Sequence, residues 1–191
     1  CEKCNVAFIG PSAEVISRMG NKSEAKNTMR KAKVPVVPGT KEPVYTVEQA
    51  LEAVKEIGFP VMIKASAGGG GKGMRVAGNE QEFAKLFETA QQESVHSFSD
   101  NTMYLERFVE NPRHVEVQIL ADKYGNVVHL GERDCSVQRR HQKMIEESPC
   151  IAISDDLRKK MGETAVRAAK AAGYESAGTI EFLLDQSGEF Y

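Results

Sequence analysis

The sequence lacks long apolar runs and a charge excess of either sign, and each absence excludes a class of protein. No run approaches the roughly 18 consecutive apolar residues that a membrane-spanning helix needs. The 25 basic and 27 acidic residues leave a net charge of −2, which gives no reason to expect a nucleic-acid-binding surface. With 41% hydrophobic and 27% charged residues, the composition is typical of a soluble globular protein that binds neither membranes nor nucleic acids.

Cysteines are also scarce. Four are present, at positions 1, 4, 135 and 150, and no second close pair joins Cys1 and Cys4 to complete a zinc site. We therefore expect reduced thiols in a cytoplasmic protein. The sequence starts without a methionine, and Gly188–Tyr191 looks like a turn that enters a new strand. We expect it to be a fragment of a longer chain.

The most distinctive feature that is present is a glycine-rich segment between two short strands. Four consecutive glycines, Gly68–Gly71, lie between the strand-like Phe59–Lys64 and Met74–Ala77. Glycine lets backbone N–H groups approach a ligand closely, and phosphate is the usual partner. The segment does not open a helix, as a dinucleotide-binding motif must, and it lacks the spacing of a P-loop. It predicts a phosphate-binding hairpin tip, with a flexible turn as the alternative.

Apolar periodicity and turn signals together predict an α+β fold with antiparallel sheets. Predicted helices cover 13–19, 21–32, 46–57, 80–93 and 154–173. Predicted strands cover 6–9, 59–64, 74–77, 103–108, 114–120, 127–132 and 178–184. The polar segments 94–101 and 133–143 are expected to be loops.

Two of the predicted strands carry polar residues that could perform chemistry. Glu181 lies in the apolar run Gly178–Leu184, and a buried carboxylate needs a cationic or metal partner such as Mg²⁺. The alternative is an exposed glutamate on an edge strand. In the strand 114–120, His114, Glu116 and Gln118 alternate onto one face, a pattern that favours an ordinary half-exposed sheet face.

The segment 133–143 concentrates positive charge. Five of its residues can be cationic: Arg133, Arg139, Arg140, His141 and Lys143. Such groups are suited to binding small oxyanions. The alternative is a solvated basic loop, partly neutralised by Glu146 and Glu147.

Seven segments, spread over nearly all 191 residues, recur in the same order in one enzyme family: Phe8–Pro11, Met19–Lys22, Ile63–Arg75, Glu110–Glu116, Glu132–Ser136, Gln138–Lys143 and Gly178–Phe182. On these segments the chain resembles the biotin carboxylase family of ATP-grasp enzymes. That family serves acetyl-CoA carboxylase in fatty acid biosynthesis, and also propionyl-CoA, methylcrotonyl-CoA and pyruvate carboxylases. Asn21 stands where the family usually has Asp, and this change leaves Lys22 in place.

The resemblance implies an ATP-grasp fold with three stretches. Residues 1–36 would end an N-terminal domain, 37–108 would form a lid over the nucleotide, and 109–191 would begin the C-terminal domain. The implied ATP-binding residues are Lys22, Lys64, Gly68, Gly69, Gly70, Gly71, Met74, Glu106, Arg107, Val109, His114, Gln138, His141 and Leu183. Lys143 would bind bicarbonate, and Glu181 would be the first Mg²⁺ (or Mn²⁺) ligand, which makes these two the implied catalytic residues.

The implied reaction begins with phosphorylation of bicarbonate by MgATP to carboxyphosphate. Biotin, held on a carrier protein or domain, is then carboxylated and passed to a carboxyltransferase. The resemblance also implies a homo-oligomer. The family places a second metal carboxylate and further bicarbonate-binding residues beyond a strand like Glu189–Tyr191, so we expect no turnover from this chain alone.

Two other functions stay open. Another ATP-grasp ligase that activates bicarbonate, such as a carbamoyl-phosphate synthetase, would share the phosphate loop, although the run Gln138–Lys143 argues against it. A non-catalytic nucleotide-binding or scaffold module would bind ATP without turnover.

Overall fold

The structure is a computed structural model. It describes residues 1–66, 73–139 and 142–191, without the side chains of Glu2, Lys22 and Ser23. The chain divides into two compact units. The middle unit is Val37–Val109, and the split unit joins Cys1–Val36 to Glu110–Tyr191. The expected lid, 37–108, has nearly the bounds of the middle unit, and its action as a lid stays a prediction.

The described secondary structure comprises five α-helices, seven strands and a short 3-10 helix at Glu2–Cys4. The helices are α1 (Ala13–Gly20), α2 (Lys22–Lys31), α3 (Val47–Ile57), α4 (Glu80–Phe98) and α5 (Asp155–Ala172). The strands are β1 (Val61–Ala65), β2 (Met74–Ala77), β3 (Met103–Arg107), β4 (Arg113–Ala121), β5 (Val127–Arg139), β6 (Gln142–Glu147) and β7 (Ser176–Leu184). Within the described residues, no helix is both long and apolar enough to cross a membrane.

The helices begin where polar side chains satisfy their first N–H groups. Thr46 accepts a hydrogen bond from the Gln49 N–H at the start of α3, and Asn79 and Ser154 cap α4 and α5 in the same way. At the other end of α5, Gly173 adopts the left-handed conformation that stops the helix. These local signals explain why the helix starts could be predicted from the sequence.

The middle unit is a three-stranded antiparallel sheet, ordered β2-β1-β3, with α3 and α4 packed on one face. Its core includes the fully buried Val61, Ile63, Phe83, Phe87 and Leu105. Alternate residues of β1 therefore face the helices, while Met62 and Lys64 lie on the other face. The open face carries Lys64, which pairs with Glu106 of β3.

The split unit is a four-stranded antiparallel sheet, ordered β6-β5-β4-β7, with α5 against one face. Val115, Val117 and Ile119 of β4 pack with Met161 and Phe182 in its core. The Arg18 guanidinium donates to the Ala172 carbonyl at the end of α5, which anchors α1 to that helix. Antiparallel sheets in both units confirm the predicted α+β fold class.

Three predicted elements differ in the structure. Residues 6–9 do not form a strand, and Val6, Phe8 and Ile9 are 57%, 58% and 89% exposed. No described strand lies beside them, and β structure needs a partner to satisfy its backbone. Helix α4 continues through the predicted loop to Phe98, because Ser94 extends the buried stripe formed by Phe83, Phe87 and Ala90.

The predicted basic loop 133–143 is also wrong. Strand β5 continues to Arg139, and β6 pairs with it through Gln138 opposite Lys143 and Arg139 opposite Gln142. The segment 133–143 is predicted to be a loop because it contains many charged residues. On an antiparallel sheet with one open face, charged side chains can project to solvent without disturbing the backbone ladder.

Candidate functional site

In the middle unit, Lys64 and Glu106 form an ion pair on the open sheet face. Lys64 lies opposite Tyr104, and Met62 lies opposite Glu106, so the two charged residues are diagonal neighbours on adjacent strands. Their side chains are only 30% and 16% exposed. The structure thus brings together two residues that the sequence predicts as nucleotide contacts.

Met74 completes this group on the neighbouring strand. It lies opposite Lys64 on β2 and is half-buried. Next to it, Arg75 pairs with Glu93 of α4 at 2.9 Å, which fixes the strand that leaves the glycine-rich segment onto the helix. An apolar thioether beside a lysine and a carboxylate offers contacts to both a base and a charged group.

The segment 107–109, which the resemblance implies is a hinge that hydrogen-bonds the adenine base, is held by backbone hydrogen bonds. The Arg107 N–H donates to the Pro38 carbonyl at 2.8 Å, and the Phe108 N–H donates to the Pro60 carbonyl at 2.9 Å. Val109, partly exposed, ends the unit. Because these two N–H groups are engaged, a base that binds this hinge would meet Glu106 and other backbone groups.

Gly39 explains how the chain reaches this hinge. It forms a bridge with Glu106, and a Cβ atom at position 39 would lie 2.4 Å from the Leu105 carbonyl oxygen. Only glycine allows this approach without moving β3. The glycine therefore fixes the path of the entering segment against the strand that carries Glu106.

In the split unit, three charged residues form a row across the open face of the sheet. Glu116 on β4 lies opposite Arg133 on β5 and opposite Glu181 on β7. Two carboxylates directly opposite each other on adjacent strands repel. This row is stable only because cations lie among the carboxylates.

Glu116 is the buried member of the row, with 5% of its side chain exposed. Its Oε1 accepts a 2.6 Å hydrogen bond from Arg133 Nε, and its Oε2 accepts one from Lys143. Burial alone would raise the pKa of this carboxyl, but the hydrogen bonds from Lys143 and Arg133 outweigh it and lower the pKa below its ordinary value. Glu116 is therefore ionised at neutral pH despite its burial.

Lys143 bridges the two opposed carboxylates. Its Nζ donates to Glu116 and also to Glu181. These hydrogen bonds, first that to Glu116 and then that to Glu181, raise the pKa of Lys143 well above its usual range. The side chain is an ammonium at neutral pH, so it can bind an anion but cannot act as a base.

The predicted burial of Glu181 is wrong. Its side chain is 65% exposed, on a strand that lies at the end of the described sheet order. Alternation along β7 buries Phe182 and Leu184 and turns Glu181 to the open face. The apolar run misled the prediction, because the opposed buried carboxylate is Glu116.

Other predicted site residues lie on the same sheet. His114 is opposite Leu183 across β4 and β7, and Gln138 is opposite Lys143 across β5 and β6. The Gln138 amide donates to the Cys135 carbonyl at 2.9 Å. Residues opposite each other in an antiparallel pair share a face. The structure therefore pairs His114 with Leu183 and Gln138 with Lys143.

Several predictions lie outside the described residues. They are the glycines at 68–71, His141 and the side chain of Lys22, whose backbone begins α2. Their assignment to nucleotide binding stays a prediction.

One described group has the spacing of a metal site, but its chemistry does not suit a metal. Ligand atoms of Glu116, Cys135 and Glu146 lie within 4.8 Å of one another. Arg133 and Lys143 already occupy the Glu116 carboxylate. Burial raises the pKa of the Cys135 thiol to about 11, with the charge of Glu116 adding to the shift, so the thiol stays protonated. Glu181 is the better candidate ligand, because its carboxylate is exposed.

Sequence reasoning did not assign Glu116 to the site, and it named Arg133 only as one of five cationic residues suited to binding an oxyanion. The alternation of β4 placed Glu116 on the face that carries His114 and Gln118, which was a usable signal. Its burial follows from Arg133, whose guanidinium also donates to the Gln118 side chain at 3.1 Å. That contact was hidden because β5 was predicted to end one residue before Arg133.

The chain is similar to known proteins over most or all of its length. A model of the family described as "Carbamoyl-phosphate synthase L chain, ATP binding domain" matches residues 21–191. A biotin carboxylase of Nostoc sp. is 58% identical over the whole chain, which covers 43% of that relative. The chain spans about two-fifths of the length of the curated relatives it matches.

Solved structures agree. The biotin carboxylase–β,γ-ATP complex of Campylobacter jejuni matches with a TM-score of 0.86 and 53% identity, over 100% of this chain and 43% of that one. The biotin carboxylase domain dimer of the Hydrogenobacter thermophilus 2-oxoglutarate carboxylase, in complex with MgADP, ADP and bicarbonate, matches with a TM-score of 0.84 and 49% identity. It is covered over 42% of its length, and this chain over 100%.

These matches confirm the ATP-grasp fold and the resemblance to biotin carboxylases that the sequence motifs indicated. The chain is similar to biotin carboxylases along its whole length, and it belongs to the family of the carbamoyl-phosphate synthase L chain ATP-binding domain.

Proposed function

We propose that the protein carrying this chain is a biotin carboxylase. It uses MgATP to phosphorylate bicarbonate and then carboxylates biotin on a carrier protein or domain. The observation that carries the proposal is Lys143, an obligate cation bridging Glu116 and Glu181 on the open face of the split unit. Similarity to biotin carboxylases over the whole chain supports the same conclusion.

Glu181 fits a divalent cation. Mg²⁺ prefers carboxylate oxygens and binds through one or two of them together with substrate phosphates. The Glu181 carboxylate is exposed, and its described partner, Lys143, is a monovalent cation that a divalent ion can displace. The ion would neutralise the charge of the transferring phosphoryl group. The MgADP bound in the Hydrogenobacter relative supports this choice of metal.

Lys143 would bind bicarbonate as a point charge. In the described state its ammonium is shared between Glu116 and Glu181. When a metal takes Glu181, Lys143 keeps its contact with Glu116 and gains a free donor for an anion. Glu116 and Arg133 hold the ammonium in place and keep the carboxylate from repelling that anion.

Lys64 would bind the phosphates of the nucleotide, and Glu106 and Met74 would bind its base. The Lys64 ammonium has three donors, so it can bind a phosphate in exchange for, or in addition to, its contact with Glu106. The glycines at 68–71 and Lys22 are proposed to complete the nucleotide contacts.

The proposed partners follow from the reaction. They are a biotin carboxyl carrier protein or domain and a carboxyltransferase subunit or domain, in a cytoplasmic enzyme that serves acetyl-CoA carboxylation or a related reaction. We also propose a homo-oligomer, which the dimer of the Hydrogenobacter domain supports.

The test is an assay of ADP release by the protein at its full length. We expect ADP release to need bicarbonate and Mg²⁺ and to rise with free biotin. Lys143→Met should reduce the biotin-dependent rate by roughly a hundredfold, as expected for loss of a preorganised charge contact. Lys123→Met is the matched control, because Lys123 lies in the turn after β4, beside the Tyr124 ring.

Two results would contradict the proposal. ADP release that needs bicarbonate, ignores biotin and yields carbamoyl phosphate with an ammonia donor would favour a carbamoyl-phosphate synthetase. Tight ATP binding without turnover under any of these conditions would favour a non-catalytic nucleotide-binding module.

A further inference from the structure

Two buried carboxylates lie two residues apart on β5, and they hold different parts of the split unit. Glu132 and Asp134 are 3% and 7% exposed, and they lie opposite Val117 and Val115 on the same face of the sheet. Neither residue belongs to the charged row on the open face. Buried carboxylates are tolerated only when donors surround them, so the identity of the donors shows what each carboxylate holds.

Asp134 accepts four hydrogen bonds. Its Oδ1 accepts from the Ser136 N–H at 3.0 Å and from the Ser136 hydroxyl, and its Oδ2 accepts from Arg113 at 2.9 Å and from the Cys150 thiol at 3.5 Å. Burial by itself would raise the pKa of Asp134, but the hydrogen bonds from Ser136, Arg113 and Cys150 lower it below its ordinary value.

Ser136 connects Asp134 to the neighbouring strand β4. Its Oγ accepts a 3.0 Å hydrogen bond from the His114 N–H. A hydroxyl has one proton to donate. Because Asp134 takes that proton, the Ser136 oxygen is oriented as an acceptor towards His114. The order Asp134, Ser136, His114 is therefore a directed hydrogen-bond chain.

This hydrogen-bond chain begins where the main-chain pairing of β4 with β5 ends. The described pairing of β4 with β5 stops at Val115 opposite Asp134. Against β6, the register of β5 shifts between Asp134 and Val137 and again before Gln138. A local irregularity of this kind re-aims side chains, and here it precedes Gln138. On the β5 side, a side-chain hydrogen bond rather than a main-chain one holds the His114 N–H, while main-chain pairing with β7 continues to Arg113 opposite Leu184.

We infer that Asp134 is a positioning residue for the nucleotide site, acting through Ser136 on His114. The inference rests on the proposed function, because His114 is a proposed nucleotide contact. His114 shares the open face with Leu183, another proposed contact. Loss of the hydrogen-bond chain would leave the start of β4 held by β7 alone and reduce the fraction of time that His114 is in place.

Glu132 provides a matched control. Its Oε1 accepts from Arg158 Nε of α5 at 2.8 Å and from the Cys150 N–H at 3.1 Å. It therefore fastens the helix and the segment after β6 to the sheet. It is as buried as Asp134 and lies on the same strand and the same face. It shares only Cys150 with Asp134, and its side chain makes no described hydrogen bond to Ser136 or His114.

The experiment compares Ser136→Ala, Asp134→Asn and Glu132→Gln in the protein at its full length. Each variant is measured for ATP affinity by calorimetry, for KM and kcat, for thermal unfolding and for amide hydrogen exchange of the segment 110–116. Ser136→Ala is the mild variant, since it removes the acceptor for His114 and leaves the Asp134–Arg113 pair intact.

We expect Ser136→Ala and Asp134→Asn to weaken ATP binding by roughly tenfold and to speed exchange at 110–116, because the His114 amide loses its acceptor or the acceptor loses its orientation. Glu132→Gln should lower the unfolding temperature but leave ATP affinity and this exchange unchanged. The inference is overturned if Ser136→Ala binds ATP as the wild type does, or if Glu132→Gln weakens ATP binding equally. The binding comparison decides the matter even if the wild type shows no biotin-dependent turnover, a result that would contradict the proposed function alone.

Discussion

The two sheets of this protein differ in the arrangement of ionised side chains on their open faces. Each is antiparallel, is covered by helices on one face and carries ionised side chains on the other. The middle sheet pairs one cation with one carboxylate, Lys64 with Glu106. The larger sheet sets two carboxylates opposite each other, Glu116 and Glu181, and places Lys143 between them.

The difference shows which kind of ligand each sheet is suited to. A balanced pair such as Lys64 and Glu106 can part and bind a group with both a polyanionic and a polar end. In the larger sheet, Arg133 and Lys143 already balance the buried Glu116, so the exposed Glu181 is the carboxylate at which a divalent metal could replace the ammonium. We therefore expect substitutions in the two sheets to have different consequences.

The largest effect should distinguish the two carboxylates of the larger sheet. Glu116→Gln leaves Arg133 and Lys143 beside a buried neutral group, so we expect the free energy of unfolding to fall by about 2–3 kcal/mol. Glu181→Gln, at an exposed position, should cost less than about 1 kcal/mol but raise the Mg²⁺ concentration needed for ADP release. Urea titrations measure the first effect, and equal losses in the two variants would contradict the account.

Next in size is the loss of Lys64 from the middle sheet. Lys64→Met should raise KM for ATP by roughly 30-fold, because a partly desolvated ammonium would no longer bind the phosphates. Lys55→Met is the matched control, since Lys55 also pairs with a glutamate, Glu52, but both are largely exposed. Steady-state kinetics at varied ATP provide the measurement. An unchanged KM in Lys64→Met would remove this residue from the nucleotide site.

A smaller effect should appear in acid. The pKa values of Glu116 and Asp134 lie below their ordinary values of 4.5 and 3.8, so the folded state binds fewer protons than the unfolded state. The stability that these groups contribute is present above about pH 4.5 and is lost as the pH falls through their lowered pKa values. Urea midpoints measured from pH 6 to pH 3 should fall, and Asp134→Asn should flatten that fall. An identical acid profile in the variant would be contrary to this expectation.

The sequence predicted the elements with local signals well. Helix α3 begins after Thr46 and helix α5 after Ser154, because one side-chain oxygen close in sequence satisfies the first free N–H groups. The motifs Asn111–His114 and Gln138–Lys143 identified the family, and the matching relatives confirm it. Signals that are contained in a few consecutive residues can be interpreted without knowing the fold.

What the sequence did not reveal depends on neighbours across the sheet. Strand β6, with a sequence rich in charge, forms because β5 offers its edge, and residues 6–9 stay irregular because no described strand lies beside them. The burial of Glu116 and the exposure of Glu181 follow from the register of three strands. The alternation of polar and apolar residues along a strand predicts which face of the sheet each side chain is on. It does not predict which residue lies opposite on the neighbouring strand.

In the structure, the Lys143 ammonium holds the position beside Glu181 that a divalent cation would take. The most direct test is the affinity of the protein for Mn²⁺, followed by electron paramagnetic resonance without nucleotide, in the wild type, Lys143→Met and the control Lys123→Met. We expect Lys143→Met to bind Mn²⁺ about tenfold more tightly than the other two proteins, because the competing ammonium is gone, and we expect the added substitution Glu181→Gln to abolish the gain. Equal or weaker Mn²⁺ binding in Lys143→Met would show that Lys143 does not compete with a metal ion for Glu181.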